Sequence, residues 1–449
     1  MPNKLYRFQE EGVAFLNHCQ GRSLIGDEMG LGKTVQALEW LNQSKAYPVL
    51  VVCPGSLKVN WSRESVKWLK KIPGIEILWS REPYKVTGKI LIINYDILIN
   101  WTSYLKRKKL QTIILDECQQ IKNLKTQRTQ AVLKVCHKVP HVIGLSGTPI
   151  LNRPIEFFNI LSLIAPHIFP SYLKYGLRYC DPKLEWGKIN YKGASNTVEL
   201  HKRVGKVMIR RLKREVLSEL PDKIRTVVPL RLDNLSDYRR AEQDLIKWIH
   251  RTTGKDSAEK AAKAEALTRV AVLKKLAMKG KFAACAEWIT NFLESDEKLI
   301  VFAVHHKTID AVVNAFPRIT VRVDSRMSMD ARQKSVDAFQ TSSNVRLIVG
   351  GLKSMGVGLT LTAASNVCML ELGWSPGEHD QAESRAHRIG QTNAVNIWYL
   401  LAEESIEEKI SRLIDKKRKV VESVLDGSKP DEYALLTNLF KQYKGKNEL

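Results

Sequence analysis

Asp27-Glu28-Met29-Gly30-Leu31-Gly32-Lys33-Thr34 is the stretch that decides the fold. It follows a short apolar run, Ser23 to Asp27, and precedes an amphipathic stretch, Val35 to Leu41. That is the strand, loop and helix order a phosphate-binding loop requires. Backbone N–H groups of such a loop, with the helix N-terminus behind it, wrap phosphate oxygens, and Gly30 and Gly32 permit the close approach. Lys33 is expected at the β and γ phosphates and the Thr34 hydroxyl on Mg²⁺. Asp27 stands where the strict pattern has its first glycine.

The rest of such a site lies further along the chain. Ile113-Ile114-Leu115-Asp116-Glu117 ends an apolar run on two carboxylates. Asp116 is expected to hold Mg²⁺ through water, and Glu117 to position and deprotonate the attacking water. Phosphoryl transfer is accelerated mainly by positioning and charge neutralisation, so an arginine aimed at the γ-phosphate is also needed. The segment Gln381 to Gln391 offers Arg385 and Arg388, expected at i, i+3 on one helical face.

Strand-like runs alternate with helical stretches on both sides of this frame. In the first third they are Ser23 to Asp27, Val49 to Pro54, Ile90 to Asn94, Thr112 to Glu117 and His141 to Thr148. Near the C-terminal end they are Lys298 to Ala303, Ile319 to Asp324, Val345 to Gly351, Asn366 to Leu372 and Asn396 to Ala402. Two α/β lobes with parallel sheets follow. Between them, Ala258 to Glu294 is rich in Ala, Lys, Leu and Glu and reads as helix. The expected division is an N-terminal lobe at 1–165, a helical basic insertion and linker at 166–295, a C-terminal lobe at 296–428 and a helical tail at 429–449.

Composition narrows the partners. Lysine and arginine number 71 against 47 acidic residues, a formal net charge of +24 that attracts a polyanion. Seven scattered cysteines form no CxxC pair, which speaks against a zinc ribbon or a disulfide framework. Without a long apolar stretch or an apolar N-terminal signal core, the chain is expected to be soluble and intracellular.

Taken together the motifs resemble the Swi/Snf-type DNA translocases of helicase superfamily 2, over nearly the whole chain. Leu5-Tyr6-Arg7-Phe8-Gln9 with Glu11-Gly12-Val13 is similar to the family's adenine-recognition segment, which implies Gln9 against the base. The loop Asp27 to Thr34 is similar to the family's own form, so Asp27, Glu28, Met29, Gly30, Leu31, Gly32, Lys33 and Thr34 are all expected at ATP. Val52-Cys53-Pro54-Gly55-Ser56-Leu57 with Trp61, and Ile121-Lys122-Asn123, resemble turns that touch phosphates of the tracked strand. The resemblance therefore implies DNA contacts at Pro54, Ser56, Lys122 and Asn123.

Leu145-Ser146-Gly147-Thr148-Pro149 with Asn152 is similar to the element that couples hydrolysis to DNA movement, implying roles for Ser146 and Thr148. Met208 to Val216 followed by Leu220-Pro221 resembles a family-specific run, and Arg210 and Arg211 are expected on DNA. In the second lobe, Gly356 to Thr362, Trp374-Ser375-Pro376 and Arg385 to Gln391 match the last motifs, implying coupling at Gly358 and Gln381 and a DNA contact at Thr360. Asp181 to Leu200, with Trp186-Gly187 and Ser195-Asn196, resembles the annealing-helicase or fork-remodelling branch. Two positions depart from the family pattern: Gln119 stands where histidine is usual, and Ser325 where glycine commonly follows Asp324.

The resemblance implies an α/β fold of two RecA-like lobes with a helical insertion, ATP and Mg²⁺ as cofactors, and ATP sitting between the lobes. It also implies a monomer acting on duplex or branched DNA with little sequence specificity. Its expected place is the cytoplasm or nucleoid of a bacterium or virus, or a eukaryotic nucleus. A strand-separating DNA or RNA helicase and a catalytically silent nucleic-acid clamp are the competing readings.

Overall fold

Runs of four or five Val, Ile and Leu residues, apolar on both faces, build the buried strands of two parallel sheets. The structure is a computed structural model, and it describes residues 4–150, 153–185, 188–191, 193–217, 219–252, 259–356 and 359–415. The chain divides into two units at Leu220 and Pro221.

The first unit opens with α1 (Arg7–His18), β1 (Arg22–Ile25), α2 (Lys33–Ser44), β2 (Val49–Cys53), α3 (Lys58–Trp68) and β3 (Ile75–Ile77). It continues through β4 (Ile90–Asn94), α4 (Leu98–Arg107), β5 (Thr112–Asp116), α5 (Gln127–Cys136), β6 (His141–Leu145) and α6 (Phe158–Ile164). Next come α7 (Tyr172–Tyr179), an antiparallel hairpin of β7 (Lys183–Glu185) and β8 (Lys188–Asn190), and α8 (Thr197–Val204). Strand β9 (Met208–Ile209) and the single turn α9 (Lys213–Val216) complete it. The sheet order is β3-β4-β2-β5-β6-β1-β9, and every pairing is parallel. Each residue of β5 is buried, which places its last one, Asp116, at the edge of the core.

The second unit runs β10 (Lys223–Leu230), α10 (Leu235–Thr252), α11 (Glu259–Leu293), β11 (Leu299–Ala303), α12 (His306–Ala315) and β12 (Thr320–Val323). It ends with α13 (Met329–Thr341), β13 (Leu347–Gly351), α14 (Leu352–Met355), β14 (Asn366–Met369), α15 (Pro376–Glu383) and β15 (Val395–Ala402). Its sheet, β10-β15-β14-β11-β13-β12, is also wholly parallel.

Five strands were not among those expected from the sequence: β3, the hairpin β7 and β8, β9 and β10. Strand β9 adds a seventh member beside β1, and β10 pairs with β15 through all eight of its residues. The β10 sequence Lys-Ile-Arg-Thr-Val-Val-Pro-Leu is half exposed, as an edge strand is, and only an edge tolerates Pro229. Residues 166–295, expected as one connector, are divided between the units: α7, α8 and α9 lie in the first, β10, α10 and α11 in the second. Tyr238 and Leu245 of α10 and Val270, Leu273 and Ala277 of α11 share a core with Ile300 and Phe302 of β11. The expected tail, 429–449, lies outside the described residues. Among the described residues, no helix is long and apolar enough to cross a membrane.

Candidate nucleotide site

The loop between β1 and α2 owes its shape to two glycines with positive φ, Gly30 at 92° and Gly32 at 75°. Gly32 caps α2 in the left-handed conformation, so the helix begins at Lys33 with its N–H groups turned toward the loop. Gln9 is packed on this turn: its Nε2 donates to the Leu31 carbonyl at 3.2 Å, and its Oε1 accepts from Tyr6 N at 3.1 Å. A Cβ on Gly32 would stand 2.4 Å from Gln9 Nε2. The Lys33 ammonium donates to the Asp27 carbonyl at 2.9 Å and the Glu28 carbonyl at 3.4 Å. Met29 and Leu31 turn their side chains into the core and offer the loop their backbone. Asp27 does the same, fully buried beneath the loop.

Strand β5 delivers the carboxylates. Asp116 Oδ2 accepts from the Trp61 indole N–H at 2.7 Å, and Oδ1 from Glu117 N at 3.0 Å. Burial and the adjacent Glu117 charge push the Asp116 carboxyl up to about 7, against the pull of the Trp61 N–H and the Lys33 charge. Glu117 itself sits in the left-handed region at φ 50°, a conformation costly for a non-glycine residue.

From Glu117 a row of side chains leads to the loop after β6. Gln119 Nε2 donates to Glu117 Oε2 at 2.6 Å, and Ser146 Oγ donates to Gln119 Oε1 at 2.7 Å. Thr148 N then donates to Ser146 Oγ at 3.1 Å. An amide can donate at one end and accept at the other, so Gln119 makes both links that this position needs. Gly147 brings this loop against the phosphate-binding loop; a Cβ there would meet Met29 Cγ at 2.4 Å and Lys33 Nζ at 3.3 Å. Thr148 Oγ1 is buried beside them, with no hydrogen-bond partner among the described residues.

These residues fit a triphosphate with Mg²⁺. The donor set is oxygen, from the Thr34 hydroxyl and the Asp116 carboxylate, and Mg²⁺ is held with substrate phosphates rather than in an all-protein cage. Among the described residues, no cluster of three or more His, Cys, Asp or Glu could hold a metal alone.

The candidate DNA-facing residues of the first unit lie in loops at the C-terminal ends of its strands. Pro54 and Ser56 are half-buried around the short turn Gly55–Leu57 after β2. Lys122 and Asn123 follow the turn Cys118–Ile121 after β5, with Asn123 exposed. Trp61 is completely buried with its only donor on Asp116, which removes it from any surface that touches phosphates.

Arg211 corrects the sequence expectation. Arg210 Nη1 donates to the Gly26 and Gly147 carbonyls at 3.0 and 3.2 Å. Arg211, 8% exposed, grips Asp27 through Nε at 2.9 Å and Nη2 at 2.5 Å. Because β9 pairs beside β1, Arg211 is buried beneath the phosphate-binding loop and does not extend from the surface to a DNA backbone, while Arg210, half-buried, bonds the Gly26 and Gly147 carbonyls.

In the second unit, Arg385 and Arg388 are not on a helical face. Helix α15 stops at Glu383: Arg385 N bonds the Ala382 carbonyl rather than that of Gln381, which accepts from Arg385 Nε instead, and the Arg385 carbonyl accepts from Leu361 N. Both guanidinium groups nonetheless converge, donating to the Leu359 carbonyl at 3.1 and 3.2 Å. Arg385 also donates to the Gln381 carbonyl and is 6% exposed, while Arg388 is half-buried. Thr360, beside Leu359, is exposed. Ser325 contacts His306 Nε2 at 3.2 Å, and Asp324 is held by Arg326. Gly358, Asn152 and Trp186-Gly187 lie outside the described residues.

Residues 8–279 match the family model of the SNF2-related domain. The chain belongs to the SNF2-related family. Residues 280–390 match the helicase conserved C-terminal domain, and the chain is an enzyme of this helicase-like ATPase family, built as two units that each carry a parallel sheet. The Homo sapiens DNA annealing helicase and endonuclease ZRANB3 is 34% identical over 95% of this chain and 41% of its own length. A Caenorhabditis elegans homologue of the SWI/SNF-related matrix-associated actin-dependent regulator of chromatin subfamily A-like protein 1 is 35% identical, over 94% of this chain and 62% of its own. This SNF2-related chain thus spans between 41% and 62% of these two relatives. The Sulfolobus solfataricus SWI2/SNF2 ATPase core in complex with dsDNA is 26% identical, covering 95% of this chain and 94% of that one, with a TM-score of 0.47.

Proposed function

We propose that the chain is an ATP-driven translocase on double-stranded DNA, of the annealing or fork-remodelling kind. The observation that carries this reading is the unbroken row Glu117, Gln119, Ser146 and Thr148 beside the Lys33 loop. It ties the residue suited to activating water to a loop that also lies on the phosphate-binding turn. The net charge of +24 supports a polyanionic partner, and the human relative is named for DNA annealing.

In this proposal the backbone of Gly30 to Thr34 and the Lys33 ammonium bind the triphosphate, with Gln9 toward the base. Mg²⁺, held by Thr34 and Asp116 together with phosphate oxygens, supplies charge neutralisation. Glu117 accepts a proton from water as its oxygen bonds to the γ-phosphorus, and the bond from that phosphorus to the bridging oxygen of the departing ADP breaks. Arg385 and Arg388 neutralise charge on the transferring phosphoryl group, Arg388 being the more exposed of the two. Gln119, Ser146, Thr148, Gly358 and Gln381 couple turnover to grip. Pro54, Ser56, Lys122, Asn123 and Thr360 hold the DNA backbone, with little base readout.

Phosphate release measured with no nucleic acid, single-stranded, duplex and forked DNA, and RNA tests this directly, beside a triplex-displacement assay. Duplex or forked DNA should stimulate hydrolysis, and the third strand should be displaced while the duplex stays paired. Stimulation by RNA alone, or separation of the duplex, contradicts the proposal. Binding should also weaken steeply between about 50 and 200 mM salt, as counterion release requires.

A further inference from the structure

The buried underside of the phosphate-binding loop holds a cluster that phosphoryl transfer does not use. Arg211 Nε and Nη2 clasp the two oxygens of Asp27, and Arg211 N adds a third bond at 3.2 Å. Gln36 on α2 closes the ring, donating to Asp27 Oδ2 at 2.9 Å and accepting from Arg211 Nη2 at 3.0 Å. Arg211 Nη1 donates to the Phe8 carbonyl, one residue before Gln9, and its guanidinium lies 5.5 Å from the Phe8 ring. The Arg211 carbonyl in turn accepts from Glu28 N at 2.9 Å. A Cβ on Gly12 would stand 1.8 Å from Gln36 Oε1 and 2.8 Å from Arg211 Nη2, so α1 is packed directly on the ring.

Resting on the reading of this loop as a nucleotide site, we infer that Arg211 is a positioning residue for nucleotide binding: it registers the Phe8-Gln9 segment and the loop's first residue, Asp27, to one another. A bidentate guanidinium fixes direction as well as distance, which lysine cannot do. The pair is buried, so removing one partner strands a charge, whereas neutralising both together does not. Nine residues separate Arg211 from Pro221, where the second unit begins. By linkage, a nucleotide that needs the ordered loop must in turn order the chain at Arg211.

The test uses the full chain and a fluorescent N-methylanthraniloyl ADP with Mg²⁺, without DNA, in wild type, Arg211→Met, Arg211→Lys, Asp27→Asn and the double variant Asp27→Asn/Arg211→Met. Each single loss of charge should weaken ADP binding by about tenfold or more, and the double variant by clearly less than the product of the singles. Arg211→Lys should fall between wild type and Arg211→Met. In hydrolysis, KM for ATP should rise while kcat at saturation changes little, a split that general loosening of the fold does not produce. Hydrogen exchange of the 208–217 amides should slow on ADP binding in wild type and not in Arg211→Met. Wild-type affinity in Arg211→Met, multiplicative loss in the double variant, or no ADP effect on those amides overturns the inference. A wild-type chain that binds no ADP overturns the nucleotide site itself.

Discussion

Two buried acids, Asp116 in the first unit and Glu383 in the second, are treated in opposite ways. Glu383 receives Lys223 Nζ at 2.8 Å, Arg225 Nε and Nη2 at 2.8 and 2.7 Å, and the Tyr399 hydroxyl at 2.8 Å. Burial alone would raise its carboxyl, but the two cations outweigh it and hold it well below the usual carboxylate range. Asp116 is met by an indole and a backbone N–H, with a second carboxylate beside it, and is raised. The first arrangement completes a charge balance within the protein. The second leaves negative charge under-neutralised at a strand end, which is where a cation and its phosphates are wanted.

The contrast can be broken by substitution. The largest effect is expected for Lys33→Ala, which should abolish DNA-stimulated phosphate release while a filter or anisotropy assay still registers DNA binding. Arg385→Glu or Arg388→Glu should lower kcat by roughly 10³-fold or more if either supplies charge to the phosphoryl group. An unchanged rate in both removes them from the reaction.

Stability should separate the two acids more sharply than activity does. Glu383→Gln strands Lys223 and Arg225 and should cost about 3–5 kcal/mol, read as a drop in denaturant midpoint. Its carboxyl is depressed in the fold, so this stabilisation is present at neutral pH and is lost as pH falls below the unfolded value near 4. Asp116 works the other way. Its carboxyl is raised, the unfolded chain ionises first, and stability declines as pH rises from about 4 toward 7. Without nucleotide, the effect of Asp116→Asn on stability should therefore become more favourable as pH rises from about 4 to 8, while hydrolysis is lost. The smallest effect is expected for Trp61→Phe, which removes one hydrogen bond to Asp116 at a cost of about 1–3 kcal/mol. It should loosen Mg²⁺ dependence, measured as the Mg²⁺ midpoint of ATP-analogue binding.

What the sequence made legible was what is local along it. The loop Asp27 to Thr34, the strand ending in Asp116-Glu117, and Gln119 three residues beyond Asp116 carry their chemistry in contiguous residues, and the structure brings these groups together with Ser146 and Thr148. Arg211 and Asp27 are 184 positions apart, and no periodicity announces that β9 will pair beside β1. Arg211 was therefore read as a DNA contact when it is a buried brace. Trp61 of α3 was misplaced for the same reason, its partner Asp116 lying 55 positions away at the end of β5. Arg385 and Arg388 had the spacing of a helical face, but helix α15 ends at Glu383, before either of them.

The most direct measurement compares Glu117→Gln with wild type in a single turnover on duplex DNA, following ATP-analogue binding and phosphate release in the same sample. Binding with Mg²⁺ should be retained and release should fall by at least about 10²-fold, the scale of a lost general base. Release at the wild-type rate would mean that water is activated elsewhere, and that the two carboxylates at the end of β5 are not the reaction centre.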